Sequence, residues 1–313
     1  MKASVVSRAW VRFWFTPDSA RNLALLRILV AAHALWILRS RDFATGAALP
    51  GFWAGVPASL RWRYLVFPGG ATFDHVWQTI ATVAVVAALV GVYARPACFI
   101  AGVLLYHLAP LDVIFWSPAA TARGLTLSPI LLLILAAAPS GDAWAIWPRA
   151  RHAAPAWEYG WPRRLTWLLI AEIYLFAAVT KLVQSGLAWS SADSIRRWLL
   201  IFTLDASWPH HALGRWLADR PTLCLAIGIG TVVFEWTFVL AVFSSRARRV
   251  LVPAGLILQT GILLAMNIQV GETWLILTFV DWPALASRFG VPYDAKARSI
   301  TVAASSGEAA SSA

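Results

Sequence analysis

Eight apolar runs of 14 to 22 residues dominate this 313-residue chain and limit what it can fold into. They are Asn22–Leu38, Val76–Tyr93, Ala97–Ile114, Leu125–Ala138, Leu165–Leu182, Thr222–Phe243, Val250–Asn267 and Thr273–Ala286. A helix rises about 1.5 Å per residue, so roughly 20 apolar residues cross about 30 Å of hydrocarbon. The expectation is an all-α, polytopic transmembrane helical bundle of about eight spans with interfacial helices. The short fourth and eighth runs are candidates for tilted or re-entrant segments. Composition agrees: 59% of residues are hydrophobic, 13% are charged and mean hydropathy is +0.66. Soluble domains average about 45–50% apolar and about 25% charged. This argues against a soluble enzyme, a disordered chain or a disulfide scaffold, and Cys98 and Cys224 lie singly inside apolar runs.

Three regions follow. Residues 1–21 mix Lys2, Arg8 and Arg12 with Trp10, Phe13, Trp14 and Phe15, the pattern of an interfacial amphipathic segment. Residues 22–287 form the transmembrane domain, and residues 288–313 a small-residue tail expected to be disordered. Two long connections, Arg39–His75 and Val183–Pro221, interrupt the runs. The second holds amphipathic stretches, Ser194–Leu200 and Pro209–Leu217, expected to lie in the interface or to cover a site. No internal repeat is evident, which weakens an inverted-repeat transporter reading.

The net charge of +11 has a topological explanation. With the N-terminus inside, 15 Lys and Arg residues fall on the cytoplasmic side and nine on the other, while Arg27 and Lys181 lie inside runs. Both termini are therefore expected in the cytoplasm. The lipid bilayer is the partner this charge implies, with headgroup contacts rather than nucleic acid.

A charge at the centre of a spanning helix costs roughly 2.5–3.5 kcal/mol on insertion scales, so each needs a partner or a task. Arg27, His33, His107, Asp112, Glu172, Lys181, Glu235, Gln259 and Asn267 all fall inside runs. Arg27 keeps its proton and must meet an anion or a carbonyl. That means either an ion pair with Glu172 or Glu235, or an anchor for a substrate carboxylate or quinone carbonyl. Glu172 and Lys181 are nine residues apart, about 900° of helical rotation, and so face opposite sides of one helix. Each calls for a partner on another helix.

Lys181 is the most informative residue. The chain has 23 Arg and three Lys, and Lys181 is the one lysine far from both ends. Tyr174, Ala177 and Ala178 share its helical face, leaving room beside the amine. A buried amine loses its proton more readily than one in water, which suits a general base. The alternative is a lysine snorkelling to headgroups. No metal-ligand spacing, phosphate loop, nucleophile elbow or dinucleotide fingerprint is present, so no metal site is expected.

Two stretches resemble the HTTM domain family, which includes the membrane part of vitamin K-dependent gamma-carboxylase. Leu23-Ala24-Leu25-Leu26-Arg27-Ile28-Leu29 is similar to the family's opening helix. Ile173-Tyr174-Leu175-Phe176-Ala177-Ala178-Val179-Thr180-Lys181-Leu182 is similar to its fifth-helix motif, and Gly186, Trp189 and Trp198 follow in a similar loop. Arg123, Gly124 and Glu235 also stand where the family has similar residues. The resemblance spans roughly residues 16–286 and implies that Lys181 is a catalytic base acting on a reduced quinone. Two departures accompany it. Gln259 stands where many members have a histidine, and the expected soluble domain of the carboxylases has no counterpart after the eighth run. Gamma-carboxylation itself is not implied.

The leading functional expectation is a membrane enzyme with Lys181 as general base on a quinol or a peptide substrate. Arg27, Tyr174, Glu235 and Gln259 are its candidate substrate-binding residues, and a reduced quinone its candidate cofactor. The alternative is a non-catalytic membrane partner for maturation, immunity or export of a secreted peptide, with Lys181 and Arg27 in structural pairs.

Overall fold

The computed structural model describes residues 5–40, 43, 71–113, 124–147, 155–204, 210–268 and 271–289. Among these every regular element is a helix, with one isolated antiparallel bridge between Asp18 and Ala156. In chain order the α-helices are α1 (Val5–Phe15), α2 (Ala20–Ser40), α3 (Ala71–Val90), α4 (Ala94–Val113), α5 (Gly124–Ala137) and α6 (Trp157–Ser185). They continue with α7 (Ala192–Thr203), α8 (His210–Ala218), α9 (Pro221–Thr237), α10 (Leu240–Phe243), α11 (Ser245–Met266) and α12 (Trp282–Arg288). Two 3-10 segments, Gly186–Ser190 and Gly271–Phe279, join them.

Among the described residues α2, α3, α6 and α11 are long and apolar enough to cross a membrane. Counting the sharply bent pair α8–α9 as one span makes five. The stretches Ala94–Leu108 and Leu127–Ala137 are apolar but shorter. The eighth run departs from a continuous helix: a 3-10 segment precedes α12. Asp281 caps α12 by accepting from the Ala284 N–H, and Pro283, without an N–H of its own, suits a helical first turn rather than an interior. Most of Arg39–His75, Arg123 and the tail after Phe289 lie outside the described residues.

The chain divides into two compact units, Met1–Arg164 with Val280–Ala313, and Leu165–Phe279. In the first, α2 packs on α3 and α5, and α4 on both α3 and α5. Small buried residues (Ala81, Ala84 and Ala88 on α3; Ala94, Ala97 and Ala101 on α4) let these backbones approach. His33 Nδ1 lies 2.6 Å from Ser128 Oγ, and His107 Nε2 lies 3.8 Å from Asp74 Oδ1, all in the interior.

Asp18 ties the start of α2 to neighbouring elements. Its carboxylate accepts from Arg163 Nη1 at 2.8 Å, Asn22 Nδ2 at 2.8 Å and the Ser19 N–H at 2.7 Å. Burial alone would raise its pKa, but the Arg163 charge and these hydrogen bonds outweigh burial and hold it below the ordinary aspartate value. A lowered carboxylate pKa contributes stability that is complete above the unfolded-state value of about 3.9 and is lost as pH falls through the folded value. Asp18→Asn is therefore expected to be less stable at pH 7 and to show a flatter acid limb in thermal melts between pH 5 and 3. An unchanged acid limb would remove Asp18 from the account.

The second unit holds most of α6 together with α7–α11 and both 3-10 segments. Trp167 stacks on Phe279 with centroids 5.2 Å apart and donates Nε1–H to the Thr278 carbonyl at 3.0 Å. Tyr174, Phe234 and Phe238 form an aromatic cluster, and Ile195, Leu199, Ala218, Cys224 and Ala265 form an apolar core between α7, α8, α9 and α11.

Candidate functional site

Lys181 sits in the last turns of α6. Gly186, at φ +56°, ends that helix in the left-handed conformation that glycine adopts without a Cβ clash. The chain then folds back through the 3-10 turn, and the Trp189 ring lies over the lysine, 4.6 Å from Nζ to its centroid. This return requires a bare backbone at Gly228 on α9. A Cβ there would fall 2.5 Å from the Ser190 carbonyl oxygen and 3.0 Å from the Ile195 side chain.

The partner of Lys181 is Glu235 on α9, at 2.5 Å from Nζ to Oε1. The side chains are 20% and 8% exposed. The amine is thus engaged across the helix interface rather than extended past the end of α6. Glu235 Oε2 is buried and makes no hydrogen bond among the described residues.

Both members of the pair line a cavity of about 730 Å³, within the range of about 300–1,000 Å³ common to small-molecule sites. Helices α7, α9 and α11 supply most of its wall, with Trp189 from the 3-10 turn and Leu217 from α8. Besides Lys181 and Glu235, Thr231 is the polar side chain of the lining apart from the indole N–H groups. Thr231 lies one turn before Glu235 on α9, so it shares that face. Polarity is concentrated around one ion pair in a hydrocarbon-lined space.

Tyr174 and Gln259 form a neighbouring contact. Gln259 Nε2 donates to Tyr174 Oη at 3.0 Å, and Tyr174 packs against Phe234 and Phe238. Neither is among the cavity-lining residues, and Gln259 Oε1 is buried without a hydrogen bond among the described residues. Arg27 belongs to the first unit and is fully buried. Its guanidinium donates to the carbonyls of Ser140 (2.5 Å), Ala143 (3.3 Å) and Trp144 (2.5 Å). A backbone loop takes the place of the carboxylate partner expected from the sequence. Glu172 is exposed on α6.

Sequence reasoning missed the glycines of this site. Gly228, Gly230 and Gly261 interrupt apolar helices, where glycine is about 1 kcal/mol less favourable than alanine. That cost was the available signal. Groups of three or more side chains suited to holding a metal ion are absent among the described residues. Comparison with family models, curated proteins and solved structures finds no match for this chain, so its chemistry must be argued from the Lys181–Glu235 cavity itself.

Proposed function

We propose that the chain is a multi-pass integral membrane enzyme, with about eight apolar segments in the bilayer and both termini cytoplasmic. We further propose that Lys181 is its general base. The 15-to-nine distribution of basic residues supports the orientation. One observation carries the chemistry: a lysine paired with a buried carboxylate on the wall of a largely apolar cavity. A lipid-soluble quinol, or a peptide side chain reaching into the membrane, is the substrate that fits. The resemblance to HTTM domains points the same way.

The pair has a route to a free base. Moving one proton along the 2.5 Å contact from Nζ to Oε1 converts ammonium and carboxylate into amine and carboxylic acid, with no change in total charge. The amine lone pair then takes a proton from a substrate hydroxyl, and Glu235 keeps the stored one. Trp189 covers the amine on one side, and most of the rest of the wall is apolar.

The test is Lys181→Arg in protein reconstituted into liposomes with a reduced naphthoquinone under air. Arginine keeps the charge but does not act as a base. Quinol consumption is expected to fall a hundredfold or more, as general-base contributions of about 10²–10⁴ imply, in a variant that still melts cooperatively. Full activity in a folded Lys181→Arg protein rejects the base role.

The closeness of the pair also favours a second reading, a non-catalytic membrane partner of a secreted peptide in which Lys181–Glu235 is a structural tie. Exchanging the two residues, Lys181→Glu with Glu235→Lys, separates the readings. A tie survives the exchange, whereas a positioned base does not.

A further inference from the structure

An ammonium carries three N–H donors, and among the described residues Lys181 Nζ makes one hydrogen bond, to Glu235 Oε1. The Trp189 ring answers the positive charge with its π face. Around them the lining is mostly hydrocarbon and aromatic, with Thr231 and the indole N–H groups its other polar points. Unmet donors are costly in such surroundings. An iminium formed from a primary amine and an aldehyde keeps the positive charge and has a single N–H. The wall around Nζ therefore matches an iminium nitrogen better than an ammonium.

Glu235 is divided in the same way. Oε1 holds the nitrogen at 2.5 Å, while Oε2 is buried and makes no hydrogen bond among the described residues. One oxygen is occupied by the amine, and the other is left for a group that joins it. An oxygen on a carbon bonded to Nζ comes within reach of that second position.

From these observations we infer that Lys181 captures an apolar aldehyde covalently as an iminium, with Glu235 moving the protons. Oε1 first takes one proton from the ammonium. The freed lone pair forms a C–N bond to the carbonyl carbon, and a second N–H proton moves to the oxygen, giving a neutral carbinolamine. Glu235 then returns its stored proton to that hydroxyl, the C–O bond breaks and water leaves. An iminium–carboxylate pair of unchanged total charge remains, and no oxidant or reductant is consumed. The capture rests on the same Nζ-to-Oε1 proton transfer as the proposed base and adds a covalent activity to it.

The sequence supplies internal controls, because the other two lysines, Lys2 and Lys296, stand near its ends. Full-length protein in detergent micelles is incubated near pH 7 with decanal and sodium cyanoborohydride, which reduces an iminium to a stable secondary amine. Mass spectrometry of the peptides then gives the labelling rate of each lysine. Lys181 is expected to be labelled at least tenfold faster than Lys2 or Lys296, since a bound carbonyl meets the amine as an intramolecular partner. Its rate should also saturate with decanal. Glyoxylate, an anionic aldehyde, is expected to reverse the order, because its carboxylate would lie beside Glu235. Glu235→Gln is expected to lower Lys181 labelling at least tenfold in protein that melts cooperatively. A rise in that variant would mean that the carboxylate only suppresses the amine, and would overturn the inference. Equal labelling of the three lysines by decanal, or preference of glyoxylate for Lys181, overturns it in the wild type alone, whether or not the variant folds. The proposed base is judged separately, by Lys181→Arg turnover. A decanal adduct on Lys181 beside full Lys181→Arg activity rejects the base and keeps the capture, and the converse result does the opposite.

Discussion

Removing one member of the Lys181–Glu235 pair is expected to destabilise the protein far more than removing both. Breaking a buried ion pair strands the other charge and typically costs about 3–5 kcal/mol, while replacing both members with apolar residues of similar size is often neutral or better. The two single variants should also differ. In Lys181→Met, Glu235 is left 8% exposed with both oxygens lacking a partner among the described residues. In Glu235→Leu, the lysine begins 20% exposed near a helix end, and its flexible stem can carry the ammonium toward the interface. Lys181→Met should therefore lose more of the melting temperature than Glu235→Leu, and the double variant should recover most of the loss. Thermal unfolding of the four proteins in one detergent measures the cycle. Additive single effects would mean that the pair has no energetic coupling.

Arg27→Met is expected to have an effect of similar size through a different route. Three carbonyls between Ser140 and Trp144 lose their donors together. A buried polar group left unpaired costs about 1–3 kcal/mol, so a total of about 3–5 kcal/mol is expected after partial relaxation. The local geometry limits that relaxation. Trp144 is held at φ +46°, Gly91 at φ +79° lies against Ala145, and the Ile146 N–H donates to the Val90 carbonyl at 2.9 Å. Arg27→Lys should rescue little, because one ammonium cannot span three carbonyls as a planar guanidinium does. Hydrogen exchange read by mass spectrometry gives the local test. Amides of residues 141–147 should lose protection before the rest of the first unit, and unchanged protection in Arg27→Met would show that the loop does not depend on the arginine.

These two residues mark how far the sequence could be read. Lys181 stood out because the chain uses arginine almost everywhere else, and Glu235 because a carboxylate inside an apolar run needs a reason. Helical rotation correctly separated Glu172 from Lys181, since it follows from geometry within one helix. Which helix would face Lys181 is a property of packing between helices, and no periodicity encodes it. Arg27 illustrates the same limit more sharply, because backbone carbonyls carry no residue-type signal. The amphipathic stretches before Pro221 were legible through Arg196, Arg197 and Arg215, and they became α7 and α8. Their role as cavity wall depends on Ile195, Leu199 and Leu217, whose counterparts lie on other helices. The break in the eighth run could have been placed at Asp281-Trp282-Pro283, but hydropathy alone runs through it.

Gly228 gives the site an all-or-none character. The distance from Trp189 to the amine is fixed by where the Ser190 carbonyl rests on α9, and that contact has no room for even a methyl group. Backbone cannot yield by rotating as a side chain can, so an alanine at this position must move the whole turn. The indole would then no longer cover the ammonium, and solvent would reach the ion pair more freely. The surroundings of the ion pair can thus be altered by a substitution that changes neither charge nor polarity and touches neither of its members.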